Sequence, residues 1–284
     1  MKKPDPKVVS AIVESALRED LGDGDHTSLS TIPSDAMGKA ELIAKAPGVV
    51  AGIFVAETVF KKIDENLLFE PAKEDGQSVK HGDVIFTVSG KRISILSAER
   101  LALNFMQRMS GIATMTHNVV QRVSGTSAKI LDTRKTTPNL RLLEKYAVSA
   151  GGGHNHRYGL YDMIMIKDNH IDFAGGIPQA IDACKDYLQK NNKSLEIEVE
   201  VRDFNELDEV LQRGGVQRIM LDNFSPLDIR KALQLIGPDY QTEASGGITI
   251  DNVREYAETG IQYISMGALT HHISSLDMSL KVVK

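Results

Sequence analysis

Side chains that can do chemistry punctuate this sequence at regular places. From about residue 128 onward short apolar runs recur, and each stops at a charged residue or a glycine turn. ILDTRK ends on Arg134 and Lys135, GGGHNHR ends on His156 and Arg157, and DMIMIKDNH carries Lys167 just past its apolar stretch. LEIEVEV carries Glu198 and Glu200, and RIMLDNF ends at Asp222. YQTEASGG runs into Ser245, Gly246 and Gly247, and YISMGAL turns at Gly267. Arginine matches carboxylate and phosphate through its planar fork, while lysine supplies a compact positive charge. Gathered in one pocket, these cations, carboxylates and glycine turns would make a site for a polyanionic substrate with a divalent metal. Oxygen ligands and substrate phosphate around a partly hydrated ion are the habit of Mg²⁺.

Each feature has a plainer reading to set against this one. EASGGITIDN puts Ser-Gly-Gly between a strand and a helix start, where backbone N–H groups can cradle a phosphate and the helix dipole favours the anion. SMGALT repeats the device after the next strand, and phosphate sites in β/α barrels use the last two βα-loops. Either turn alone is explained as well by the left-handed backbone that glycine permits. The adjacent pair favours phosphate, and His271 or His272, just beyond, can touch it. His154 and His156 alternate with no third ligand nearby, a poor pattern for zinc. Glu198 and Glu200 point to the same face of their strand, and Glu200, nearer the C-terminal end, is the better site candidate. Asp222-Asn223 could instead cap a helix. Arg141 and Lys145, four apart, read at least as well as an exposed helix face. Cys184, inside the helical pattern PQAIDACKDYLQK, reads as a buried small apolar residue.

The elements that must position these groups change character along the chain. Before residue 110 the pattern is mixed. Val8 to Asp20 is an amphipathic helix, Lys39 to Ala46 alternates like a strand, and Phe54 to Ile63 is a short helix. DGQSVKHGDVIFTVSG reads as strand, turn, strand, and Ser97 to Met109 as a helix with Ser97 at its N-cap. After about residue 111 strands alternate with helices. Strands are expected near 128–132, 152–155, 162–166, 195–201, 217–221, 240–244 and 262–265. Helices are expected near 139–149, 176–190, 204–213, 226–236 and 250–258. Such alternation implies a parallel sheet, here an incomplete barrel of about seven strands, whose strand C-termini open on one face. The expected organisation is an α+β domain over 1–110 and an α/β barrel over 111–270. The strand-like LDMSLKVV, in the tail at about 271–284, pairs back onto the first domain.

Composition narrows the function classes. The chain has 284 residues, 42% hydrophobic and 25% charged, with a net charge of -5. That is ordinary for a soluble globular protein and argues against a general nucleic-acid binder. The longest uncharged stretch, Ala46 to Ala56, is too short to span a bilayer. MKKPDPKVV lacks the apolar core of a signal peptide, and a single cysteine suits a reducing compartment, so the expectation is cytoplasmic.

These motifs, taken in order, resemble the quinolinate phosphoribosyltransferase family. LDTRKTTPNLRLLEKYAVSAGGGHNHRYGLYDMIMIKDNH carries the core of the likeness. LREDLGDGDHTS, SAERLALNFMQRMSGIAT, IEVEV, IMLDNF, EASGGIT and ISMGALTH extend it over nearly the whole chain. The resemblance implies an N-terminal α+β sandwich domain, an incomplete α/β barrel and a homodimer with shared sites. It implies a Mg²⁺-dependent reaction of quinolinate with phosphoribosyl pyrophosphate, giving nicotinate mononucleotide, pyrophosphate and carbon dioxide. By the same resemblance, Arg134, His156, Arg157 and Lys167 contact quinolinate, and Lys135 lies between the substrates. Arg100 reaches the neighbouring subunit's quinolinate. Glu200 and Asp222 lie near the ribose hydroxyls and the metal, while Ser245, Gly246, Gly247, Gly267 and His271 surround the 5-phosphate. Two other readings compete. Lys167 at a strand end could form a Schiff base, as in an aldolase acting on sugar phosphates. Some relatives accompany molybdenum transport, but the intact charged set argues against that role.

Overall fold

The structure, a computed structural model, describes residues 3–283. In chain order, α1 (Pro6–Leu21) and α2 (His26–Thr31) precede β1 (Met37–Ala44) and β2 (Gly48–Val49). Then come α3 (Ile53–Ile63), β3 (Leu68–Pro71), β4 (Ser78–Val79), β5 (Val84–Lys91) and the long α4 (Arg92–Arg122). Next are β6 (Lys129–Leu131), α5 (Arg141–Ala150), β7 (Ile164–Ile166), α6 (Asp168–Ala174) and α7 (Ile177–Lys190). β8 (Ile197–Val201), α8 (Phe204–Arg213), β9 (Arg218–Asp222), α9 (Pro226–Ile236) and β10 (Gln241–Ser245) follow. The chain closes with α10 (Val253–Ala257), β11 (Tyr263–Ser265), α11 (Ala268–His271) and β12 (Met278–Val282). No helix among the described residues is long and apolar enough to cross a membrane.

Two compact units result. The first takes residues 1–117, 136–152 and 269–284, and the second takes 118–135 and 153–268. In the first, Asp5 caps α1 by accepting from the Lys7 N–H at 2.9 Å, with Pro6 opening the helix. Val9, Val13 and Leu17, spaced four apart, form its buried stripe. An antiparallel sheet runs in the order β12-β1-β5-β3. Phe60 of α3 packs on Phe86 and Phe69 of that sheet, with ring centroids 5.8 and 5.9 Å away. The closing strand pairs with β1, from Ala40↔Val282 to Ala44↔Met278.

The second unit is built on a parallel six-stranded sheet, ordered β6-β11-β10-β9-β8-β7. Both faces of this sheet are covered, so all five residues of β8, two glutamates among them, are buried. A parallel bridge from Leu131 to His154 adds a seventh position beyond β6. Among the described residues no ladder joins that segment to β7, so the barrel stays open there.

The expected strand at 152–155 shrinks to this bridge because three glycines precede it. Gly152 is left-handed (φ 90), and a Cβ on Gly151 would lie 2.3 Å from the Ala113 carbonyl oxygen. Other expectations change as well. Ser97 caps nothing, because α4 begins at Arg92; its hydroxyl donates to Asp25 Oδ2 at 3.1 Å instead. Lys145 is buried rather than exposed, at 4%. Cys184 is only half-buried, on the partly covered side of α7.

Candidate active site

All strands of the second unit's sheet run in one direction, so their C-terminal ends share an edge. Arg134 and Lys135 follow β6, and Lys167 follows β7 as the N-cap of α6. Glu200 lies near the end of β8, and Asp222 ends β9. Ser245 ends β10 with Gly246 and Gly247 next, and Gly267 comes two residues after β11. Topology therefore carries these groups to one edge. Of the remaining candidates, His156 and Arg157 follow the Leu131–His154 bridge. Arg100, on α4, and His271, ending α11, are exposed and belong to the first unit.

The loop after β6 and the bridge segment are bound together by Asp132. It is fully buried and accepts from the His156 N–H at 2.8 Å and from Asn155 Nδ2 at 2.6 Å. This holds His156 and Arg157 close to Arg134. Burial lowers the Arg157 pKa first, and the nearby Arg134 charge lowers it further. Glu198 and Asp162 act in the opposite sense and favour its charged form. Arg157 also donates from its guanidinium to the Met163 carbonyl at 3.1 Å, which fixes its stem.

The rim of β8 carries an ion pair between Lys167 Nζ and Glu200. Asp222 is half-exposed and accepts from Asn223 Nδ2 at 2.7 Å. It does not cap α9, whose N-cap is Ser225. Asp222 stands in register with Ser245 of β10. Beyond Ser245 the chain makes two successive left-handed residues, Gly246 (φ 89) and Gly247 (φ 63). A Cβ on Gly246 would fall 2.2 Å from Asn223 Oδ1, so glycine is required for space as well as conformation. Around Gly247 nothing lies within 4 Å of the corresponding position. The helix dipole expected here is absent, because α10 begins only at Val253 and is five residues long. Any anion held at this turn is held by backbone N–H groups of the turn itself.

Below the rim lies a layer that the sequence reading missed in part. His156 Nε2 stands 3.0 Å from Glu198 Oε2 and 3.4 Å from Glu243 Oε2. Arg218 Nη1 donates to Glu243 Oε2 at 3.0 Å, and its guanidinium lies 4.4 Å over the Tyr263 ring. Exposures of 8% for His156, 9% for Arg218 and 0% for both glutamates mean that water screens none of these charges well. Charge arithmetic then governs the cluster. Two carboxylates against one guanidinium leave one negative charge, and one proton held among His156 and the carboxylates neutralises it. Nδ1 of His156 accepts from the Arg157 N–H at 2.6 Å, which directs the ring's own proton to Nε2, toward the acids. Burial alone would lower the His156 pKa, but the carboxylates outweigh it and lift it to about 9. Burial and the neighbouring Glu243 raise the Glu198 pKa, so that proton belongs to the group rather than to one atom. Glu243 and Arg218 each had a visible signal: Glu243 precedes Ser245 by two, as Glu198 precedes Glu200, and Arg218 opens an apolar strand.

The first unit contains a further ion pair, between the half-buried Arg108 and the buried Glu144. Arg108 donates to Glu144 Oε1 at 2.6 Å and to Thr137 Oγ1 at 2.7 Å. Glu144 also accepts from the Thr137 N–H at 3.1 Å. The pair thereby fixes the segment that follows Arg134 and Lys135.

A parallel sheet with one edge lined by cations, acids and a glycine nest defines an anion-binding enzyme of the α/β class. Comparison with known proteins specifies it further. Residues 25–110 match the N-terminal domain of quinolinate phosphoribosyl transferase, and residues 112–281 match its C-terminal domain. Quinolinate phosphoribosyltransferase [decarboxylating] 1b of Nicotiana tabacum is 45% identical, over 96% of this chain and 82% of its own. The probable nicotinate-nucleotide pyrophosphorylase [carboxylating] of Bacillus subtilis is 46% identical, over 93% and 90%. The crystal structure of NadC from Streptococcus pyogenes superposes with a TM-score of 0.94 at 38% identity, covering 100% of both chains. This chain belongs to the quinolinate phosphoribosyltransferase family.

Proposed function

We propose that this protein transfers phosphoribose from phosphoribosyl pyrophosphate to quinolinate, releasing pyrophosphate and carbon dioxide and yielding nicotinate mononucleotide for NAD biosynthesis. The observation that carries the reading is the gathering of Arg134, Lys135, Lys167, Glu200, Asp222 and the Gly246–Gly247 turn at the ends of parallel strands, beside the buried His156 cluster. Such a pocket suits a dianion. Arg134, His156, Arg157 and Lys167 hold the two carboxylates of quinolinate, and Lys135 lies between the substrates. Ser245, Gly246, Gly247, Gly267 and His271 take the 5-phosphate. Without these cations the two anionic substrates would repel each other, so catalysis is largely positioning and charge balance. Glu200 and Asp222 stabilise the ribose as it becomes oxocarbenium-like. Loss of carbon dioxide then leaves an electron pair next to a positively charged ring nitrogen, a proton from solvent takes that pair to give the product, and no nucleophilic side chain is needed.

The donor chemistry at this edge fits Mg²⁺: Glu200 and Asp222 offer oxygen only, with the Ser245 hydroxyl in register beside Asp222. These acids would hold the ion directly or through water, and when bound it supplies neutralisation of the leaving pyrophosphate. Lys167 is paired with a carboxylate rather than desolvated among apolar groups, which tells against the Schiff-base alternative.

The decisive measurement is turnover of quinolinate with phosphoribosyl pyrophosphate and Mg²⁺, followed by the appearance of nicotinate mononucleotide. Activity should vanish in EDTA and return with Mg²⁺. Nicotinate, lacking the second carboxylate, should be a much poorer acceptor, because buried polar groups would go unpaired. Comparable kcat/KM for the two acceptors would overturn the assignment.

The working form is read as a cytoplasmic homodimer in which Arg100 serves the neighbouring copy's site. Its exposure on α4 supports this. Arg100→Ala and Lys135→Ala should each be nearly inactive. Random mixing of the two should restore roughly a quarter of wild-type activity, since half the dimers are mixed and each has one intact site. No recovery in verified mixed dimers would remove Arg100 from the partner's site.

A further inference from the structure

The reaction proposed above uses His156 but gives no role to the three charged groups buried behind it. Glu198, Glu243 and Arg218 come from three adjacent strands, β8, β10 and β9. They are brought together by register, with Glu198 opposite Arg218 and Arg218 opposite Gln241. Gln241 also accepts from both Arg218 Nε and Nη2, at 3.1 and 2.9 Å, so the guanidinium is held along its whole edge. A core needing only to be filled would use apolar residues here, since buried ion clusters add little stability over well-packed hydrophobes. This cluster instead sets both carboxylates within ion-pair distance of Nε2 of one imidazole, at 3.0 and 3.4 Å, and the other edge of that ring is tied to the Arg157 N–H.

We infer that Glu243, anchored by Arg218, acts with Glu198 as a positioning residue that grips His156 through Nε2 and so sets the placement of His156 and Arg157 for the quinolinate carboxylates. Neither glutamate touches substrate. Each works through the ring, and the ring's orientation is passed along the backbone to the next residue. The inference rests on the proposed acceptor site, so its tests separate the grip from the reaction.

The first test needs no turnover. In unliganded wild-type protein with ¹⁵N-labelled histidine, the Nε2-bound proton of His156, assigned by its loss in His156→Asn, should resonate far downfield and exchange slowly with solvent. An ordinary, rapidly exchanging His156 signal would overturn the grip. A protected proton in a protein that fails to turn over quinolinate would support the grip and count against the reaction instead.

The second test is kinetic. Glu243→Gln should lower kcat/KM for quinolinate by about tenfold to 10²-fold, the scale of a misplaced binding group, and leave KM for phosphoribosyl pyrophosphate unchanged. Glu243→Asp should recover part of the loss. Because the effect passes through the ring, the double variant His156→Asn/Glu243→Gln should be no worse than His156→Asn alone. Multiplying losses, or an equal rise in both KM values, would show a merely structural role. If Glu243→Gln does not fold, the wild-type spectrum decides the question.

Discussion

Glu198 and Glu200 sit two residues apart on the same face of the same strand, and their surroundings differ completely. Glu198 is sealed, with no exposure, against His156. Glu200 stands at the rim, paired with Lys167, whose side chain is 40% exposed. One step of about 7 Å along a strand therefore moves a buried carboxylate from wholly buried partners to a partner, Lys167, that reaches solvent. Depth along the strand, rather than residue type, separates the groups that hold the site's shape from those that meet its ligands.

Removing a charge from the floor should be the most damaging way to test this contrast. Arg218→Met leaves two buried carboxylates facing one imidazole, and breaking a buried ion cluster costs on the order of 3–5 kcal/mol. Urea unfolding should show that loss as a lower midpoint. A midpoint unchanged from wild type would mean that the floor is not a charge-balanced unit.

The rim should behave in the opposite way. Glu200→Gln is expected to lower kcat by roughly 10²-fold or more, as for a group that stabilises charge developing in the transition state. Its urea midpoint should fall less than that of Arg218→Met, because the amide fills the same buried place and the partner left behind, Lys167, is solvated. A stable but fully active Glu200→Gln would remove this acid from the chemistry, and a strongly destabilised one would erase the distinction between rim and floor.

The smallest effect is a slope with pH. Because the folded His156 pKa is raised above the ordinary histidine value to about 9, its stabilising contribution is fully present below about 6.5. It is lost as pH rises through about 9. Between those limits the unliganded protein should lose on the order of 3 kcal/mol. The titratable partners facing the ring are Glu198 and Glu243, with Arg218 fixed in charge behind them. In His156→Asn this part of the pH dependence should flatten. An identical slope in the variant would place the proton elsewhere.

Much of the rim was legible in the sequence. Apolar runs that stop at Lys167, Asp222 or Ser245 state both the strand and its exposed end, because a parallel strand covered on both faces tolerates charge only where it leaves the sheet. The floor was harder to read. Glu243 and Arg218 stand inside strands, where a charged residue is expected to be unfavourable. Only pairing across β8, β9 and β10 makes them tolerable, and that pairing depends on register. The helix expected at 250–258 is present but starts late and is short, Val253–Ala257, for a local reason. The turn residues after Ile248 delay α10 until Val253, so the dipole does not reach the nest.

By itself the sequence determined the alternation of strands and helices, the edge on which the charges gather and the family to which the chain belongs. These follow from local patterns of polarity and from motifs contiguous in the chain. Tertiary structure alone decided that His156 would be held by acids 42 and 87 residues further along, at 3.0 and 3.4 Å. It also decided that Lys145 would be buried and that the region around His154 would contribute one bridge instead of a strand. Such outcomes depend on which strands become neighbours and in what register, and that is settled by packing of the whole sheet rather than by any one segment.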